Sequence, residues 1–203
     1  RDLHSFPTRR SSDLGGREGG ASHILRGWQQ AKRACAEKLP CLKPSAFMYV
    51  VGSWIDEFLG TKENIISTRK VPETHQEILH FARYRNPMNH PTVMFRKAVI
   101  EAVDSYHDFP LFEDYDLWVR ALQHGVSFYN IQESLLWFRL SYEAFRRRGG
   151  VHYIKAESRF QKRLYQCGFI SRFAFLQNVI IRLTVRLLPN RLRKFIYILR
   201  IRK

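Results

Sequence analysis

Phe112-Glu113-Asp114-Tyr115-Asp116-Leu117-Trp118-Val119-Arg120 is the stretch that decides how this chain reads. Leu117, Trp118, Ala121 and Leu122 recur at helical spacing, and Gly125 closes the pattern, so an amphipathic helix is predicted with three acids in its first turn. Two readings of those acids stand side by side. Carboxylates in a first turn complement the positive end of the helix dipole, at about 0.3 to 1 kcal/mol each when exposed. Alternatively, one of them is a catalytic base.

Working outward, 203 residues with 45% apolar content suffice for one domain with a core. Lys and Arg outnumber Asp and Glu by 34 to 18, and the excess is local. After Glu157 there are twelve basic residues and no acid, which points to an anionic partner for the C-terminal quarter, either a membrane surface or nucleic acid. Cys35, Cys41 and Cys167 show no metal-knuckle or disulfide spacing, so free thiols in a reducing compartment are expected. No apolar run reaches the roughly 18 residues of a membrane-spanning helix, and no secretory signal is visible. The expected location is the cytosol or a cytosolic surface.

Residues 1–14 resemble the translation of a sequencing-library adapter and are expected to be an assembly artefact that replaced the true start; a natural basic, Ser-rich arm is the other reading. Residues 15–46 are left unassigned, a misjoined segment being one explanation. From Phe47 an α/β unit is predicted through 140. Strands are expected at Phe47 to Val51, running on toward Phe58, at Ile65 to Thr68, and at Thr92 to Phe95. Ser127 to Ile131 and Leu135 to Arg139 read as two further strands. Thr74-His75-Gln76-Glu77 has capping-box spacing and opens a helix expected to stop at Asn86-Pro87. A second helix spans Ala98 to Val103. Residues 141–203 read as a basic amphipathic helical tail, with helices from Tyr142 to Arg148 and from Val151 to Cys167, the latter capped by Gly168.

Val50-Val-Gly-Ser-Trp-Ile-Asp56, Asn86-Pro-Met-Asn-His-Pro-Thr-Val-Met-Phe-Arg-Lys97, Phe112-Glu-Asp-Tyr-Asp-Leu-Trp118 and Arg147-Arg-Gly-Gly150, in that order, resemble the C-terminal half of bacterial family 2 glycosyltransferases that assemble surface polysaccharides. The resemblance covers about residues 48 to 200. It implies a partial GT-A, Rossmann-like domain that lacks its nucleotide-binding half and is followed by C-terminal helices. It also implies a nucleotide-sugar donor, a glycan or lipid-linked acceptor, and Mg²⁺ or Mn²⁺ in the full-length parent. Asp114-Tyr115-Asp116 fits the letters of the metal motif of such enzymes. It lies downstream of where that motif belongs and opens a helix, so the metal ligands are expected outside this chain, and the fragment is expected to be inactive alone.

The resemblance assigns the acceptor-activating base to Asp114, with Glu113 beside it. Asn89 and His90 sit on a loop stiffened by Pro87 and Pro91, as suits contact with substrate; a loop histidine bonded to backbone is the plainer reading. Arg147 and Arg148, next to a glycine hinge, could close over a leaving diphosphate, although adjacent arginines also describe a solvated helix face. The tail from Phe169 interleaves arginine with long aliphatic runs, as in a helix lying in a membrane interface. Its apolar face could instead pack on the domain. Nucleic-acid binding is the rival from another class, but the tail lacks stacking aromatics in register and no nucleic-acid motif is present, so no nucleic-acid partner is expected.

Overall fold

The computed structural model describes residues 3–4, 49–140 and 150–187. Its centre is a ten-residue strand, β2, at Tyr49–Phe58, where an apolar run of β-formers favours a buried strand. β1 is the two-residue Leu3–His4, which pairs with β4. β3 spans Ile65–Arg69 and β4 spans Met94–Arg96; both are antiparallel to β2, along its C-terminal and N-terminal halves respectively. β5, Ser127–Arg139, runs parallel to the whole of β2 on the other side. The two strands expected within β5 are one, irregular where the partner of Ser53 is Ile131 and that of Trp54 is Ser134. Gln132 in that irregularity donates to Val71 O and Asn130 O.

Three helices cover the sheet: α1 at His75–Phe81, α2 at Lys97–Ala102 and α3 at Glu113–Gln123. The capping box of α1 forms as its sequence predicts, with Thr74 Oγ1 accepting from Glu77 N and Glu77 Oε2 accepting from Thr74 N. α1 ends earlier than the expected Asn86-Pro87, at Phe81, with turns continuing to Arg85. α3 ends as expected at Gly125, whose φ of 74° suits glycine; Gly125 N and Val126 N bond back to Leu122 O and Ala121 O. A helical pair follows, α4 at Gly150–Gln166 and α5 at Arg172–Leu187, joined through Gly168 in the same left-handed conformation. The fold class read from the sequence, an α/β unit followed by helices, is the one observed. The helix expected over Tyr142 to Arg148, most of 1–46 and the end of the tail lie outside the described residues.

α3 buries two faces. Leu117, Trp118, Ala121 and Leu122 pack toward the sheet with Val50, Phe95, Phe128, Val99 and Ile78. Phe112, Tyr115 and Val119 pack the opposite way against Phe160, Leu164, Ile170 and Ala174 of the α4–α5 layer. Phe160 stacks on Phe112 at 4.9 Å between ring centroids and lies 4.7 Å from Tyr115. The structure is thus three layers, sheet, α3 and the α4–α5 pair. Among the described residues no helix is long and apolar enough to cross a membrane.

Gly52 in β2 is where the sheet meets the loop that follows α1. A Cβ there would lie 2.5 Å from Asn130 Oδ1 and 2.8 Å from Met88 Cε. Asn130 cannot retreat, because its Nδ2 donates to Pro72 O at 2.7 Å and to Pro87 O at 3.2 Å. Gly52→Ala is therefore expected to destabilise the fold by about 1 to 3 kcal/mol through overpacking, read as a lower denaturation midpoint at unchanged m-value.

Candidate active site

The loop from Asn86 to Val93 is built by donors aimed at carbonyls. Pro87 and Pro91 have no N–H, so the segment is short of backbone donors and side chains supply them. Asn89, fully buried, donates through Nδ2 to Ser53 O at 2.8 Å and to Arg69 O at 3.2 Å, joining β2 to the end of β3. Thr92 Oγ1 accepts from Ser53 N at 2.9 Å and donates to Asn89 O at 2.8 Å. A 3-10 turn at His90–Thr92 results. Asn89 thus lies beneath the loop and fixes it, while His90 is carried outward to half-burial.

His90 sits between two rings, its centroid 6.0 Å from Trp118 and 6.1 Å, edge-on, from Tyr106. Tyr106 comes from the segment between α2 and α3, where Asp104, Ser105 and Leu111 all have positive φ. Burial pushes the Tyr106 hydroxyl above its usual range, and the charges of Asp114 and Glu113 push it further the same way. The phenol therefore stays protonated at neutral pH, within electrostatic reach of both acids.

Asp114 holds both carboxylate oxygens in place. Oδ1 accepts from Tyr115 N at 2.8 Å, within its own helix. Oδ2 accepts from Asn86 Nδ2 at 2.8 Å, twenty-eight residues away. The helix-dipole reading accounts for the first bond and not for the second. Glu113 is exposed beside it, and Phe112 at the N-cap provides no side-chain cap. The structure brings together Asp114, Glu113, His90 and Tyr106 around the Asn86–Asn89 loop; Arg147 and Arg148 lie outside the described residues. Asn86 and Tyr106 were missed in the sequence. Asn86 was in view as the helix stop before Pro87 and as the first residue of the family-like stretch, with no role at the site, and nothing in the sequence pattern marks Tyr106.

Asp116 has another fate. It is buried, and Oδ2 accepts from Arg120 Nε at 2.8 Å, with His107 Nδ1 3.4 Å away and Arg163 Nε 3.8 Å from Oδ1. Arg120 also donates to Val103 O and, at 2.6 Å, to Ser105 O, so this pair clamps the positive-φ turn that leads into the site. Asp114 and Asp116 point to different partners and do not fit a shared metal ion. Among the described residues no group of three His, Cys, Asp or Glu side chains could hold one.

Comparison with known proteins gives the chain's relatives. It is 38% identical over 150 residues to the UDP-Gal:alpha-D-GlcNAc-diphosphoundecaprenol beta-1,3-galactosyltransferase of Escherichia coli, covering 74% of this chain and 54% of that protein. An uncharacterised glycosyltransferase of Haemophilus influenzae is 34% identical over 148 residues, covering 73% and 55%. An amylovoran biosynthesis glycosyltransferase of Erwinia amylovora is 33% identical over 132 residues, covering 64% and 48%. The chain spans about half the length of the curated relatives it matches. No protein-family model matches it.

The geometry separates the two arginines near Asp116. Arg120→Ala leaves a buried carboxylate without its close partner and is expected to cost about 3 to 5 kcal/mol. Arg163→Ala removes a longer contact from a side chain that is 43% exposed and should cost no more than about 1 kcal/mol. Urea denaturation of the two variants checks the order; equal losses would contradict it.

Proposed function

We propose that this chain is the acceptor-side part of an inverting GT-A glycosyltransferase of family 2. The parent would transfer a sugar from a nucleotide-sugar to a polysaccharide or lipid-linked acceptor during bacterial surface glycan synthesis. The observation that carries the reading is the Asp114 carboxylate, held by Asn86 beside His90 and Tyr106, in a chain whose relatives are glycosyltransferases. Asp114 accepts the proton of the acceptor hydroxyl while that oxygen forms its bond to the anomeric carbon. The bond from that carbon to the nucleoside diphosphate breaks on the opposite face, and the diphosphate leaves with the electron pair. Glu113 adds negative charge beside the base. His90 contacts the substrate from a loop that Asn89 fixes from below, and the resemblance assigns Arg147 and Arg148, outside the described residues, to the leaving diphosphate. A divalent ion, Mg²⁺ or Mn²⁺, would offset the diphosphate charge in the full-length protein, through ligands outside this chain.

The reading extends to a membrane surface. Phe173, Leu176, Ile180, Ile181 and Leu183 are exposed along α5, Phe173 at 76%, and no acid lies within the helix. An exposed apolar face on a helix that carries basic residues and no acid suits peripheral attachment to anionic lipid, close to a lipid-linked acceptor, at the cytoplasmic face.

Asp114→Asn in the full-length protein is expected to lower kcat by about 10² to 10⁴-fold. UDP-galactose with a GlcNAc-diphospholipid acceptor is the first pair to assay, and Glu113→Gln should lose less. An Asp114→Asn enzyme with unchanged kcat would remove the base assignment. For the membrane, Phe173→Glu with Ile180→Glu should abolish co-sedimentation with phosphatidylglycerol vesicles at moderate salt. Binding that survives this pair and is lost with duplex DNA as competitor would favour a nucleic-acid partner instead.

A further inference from the structure

The inner face of α5 is polar where a packing face would be apolar. Ala174, Asn178 and Arg182 lie four residues apart and share that face. Ala174 joins the aromatic cluster around Phe160. Asn178, buried, donates through Nδ2 to Arg83 O at 2.9 Å and to Gln161 Oε1 at 3.0 Å. Arg182 forks, donating to Tyr84 O at 2.6 Å and to the Glu157 carboxylate. From α3, the Tyr115 hydroxyl donates to Ala82 O at 2.6 Å. Three consecutive carbonyls, those of Ala82, Arg83 and Tyr84, are each held by a different side chain.

This is the turn that follows α1. Pro87 offers no N–H to Arg83 O, so the helix cannot continue and the freed carbonyls need other donors. Water could serve this turn, where Arg83 and Arg85 are exposed. A buried Asn and a nearly buried Arg–Glu pair, with side chains 22% and 6% exposed, are a costly substitute for water. What they add is a fixed position. Two residues beyond Tyr84, Asn86 reaches the Asp114 carboxylate.

We propose that Asn178 and Arg182 are positioning residues: from α5 they hold the 82–86 turn in the one place from which Asn86 can orient Asp114. The inference rests on the glycosyltransferase reading for its consequence in catalysis, and on geometry alone for its consequence at Asn86. The helix whose outer face is offered to lipid is, on its inner face, the clamp of the proposed active site.

The test uses the full-length protein and two readouts. By NMR, the side-chain amide protons of Asn86 should exchange slowly with solvent in the parent. They should lose that protection in Asn178→Ala, in Asn178→Leu, which keeps the branched four-atom side chain and removes the donor, and in Arg182→Met. In transfer assays the same variants should lose about 10 to 100-fold in kcat with little change in donor KM, and lose nothing further in an Asn86→Ala background. Folded variants in which Asn86 stays protected, or losses that add to that of Asn86→Ala, would overturn the proposal. If Asp114→Asn leaves transfer intact while the Asn86 readout behaves as expected, the catalytic reading fails and the clamp stands.

Discussion

Helix α3 must bury two faces at once, and the rest of the structure follows from that. Trp118 and Leu117 are fully buried toward the sheet, while Tyr115, Val119 and Phe112 are buried toward α4 and α5. Turning the helix about its axis would pull aromatic surface out of one layer or the other, at about 25 cal/mol per Å² exposed. Its rotation is therefore set by packing. Asp114, one turn ahead of Leu117 and Trp118 on the sheet-facing stripe, inherits its direction from side chains that have no chemistry of their own.

Polar groups then fix what packing leaves free. The segment from Ala82 to Thr92 holds two prolines and lacks their donors, and four asparagines tie it to its surroundings. Asn130 bonds Pro72 O and Pro87 O, Asn89 bonds Ser53 O and Arg69 O, Asn178 bonds Arg83 O, and Asn86 turns to Asp114. A short side chain with two amide protons can bridge two carbonyls from different segments, which a hydroxyl cannot. The loop that bears His90 is thus held with a single 3-10 turn as its regular structure.

The elements were largely legible because their signals are local. Apolar runs, the Thr74–Glu77 box and the glycines after α3 and α4 act within a few residues; the box and the glycine caps formed as read, while the two runs of β5 joined into one strand and the run from Thr92 to Phe95 became the end of a 3-10 turn and the strand Met94–Arg96. The inward stripe of α3 was legible too. Its second buried face was not, since Tyr115 sits between two acids and Val119 next to an arginine, and only a separate layer from 150 onward makes that face interior. The early end of α1 was missed for a related reason, because its carbonyls are captured by residues almost a hundred positions away. At the site, Asp114, Glu113 and His90 could be named from motif order. Asn86 and Tyr106 could not, because their roles arise from distances that no spacing encodes.

The two aspartates of one turn show how burial and partner choice divide similar residues. Asp116 is deeply buried and meets a guanidinium at 2.8 Å, an arrangement that neutralises its charge and uses it to hold a strained turn. Asp114 is half-buried, and its hydrogen-bond donors are an amide of the backbone and an amide of Asn86, both neutral. Those donors orient the carboxylate without cancelling its charge. The base proposed for the transfer must keep its charge and its direction together, and of the two acids Asp114 is the one whose donors are neutral.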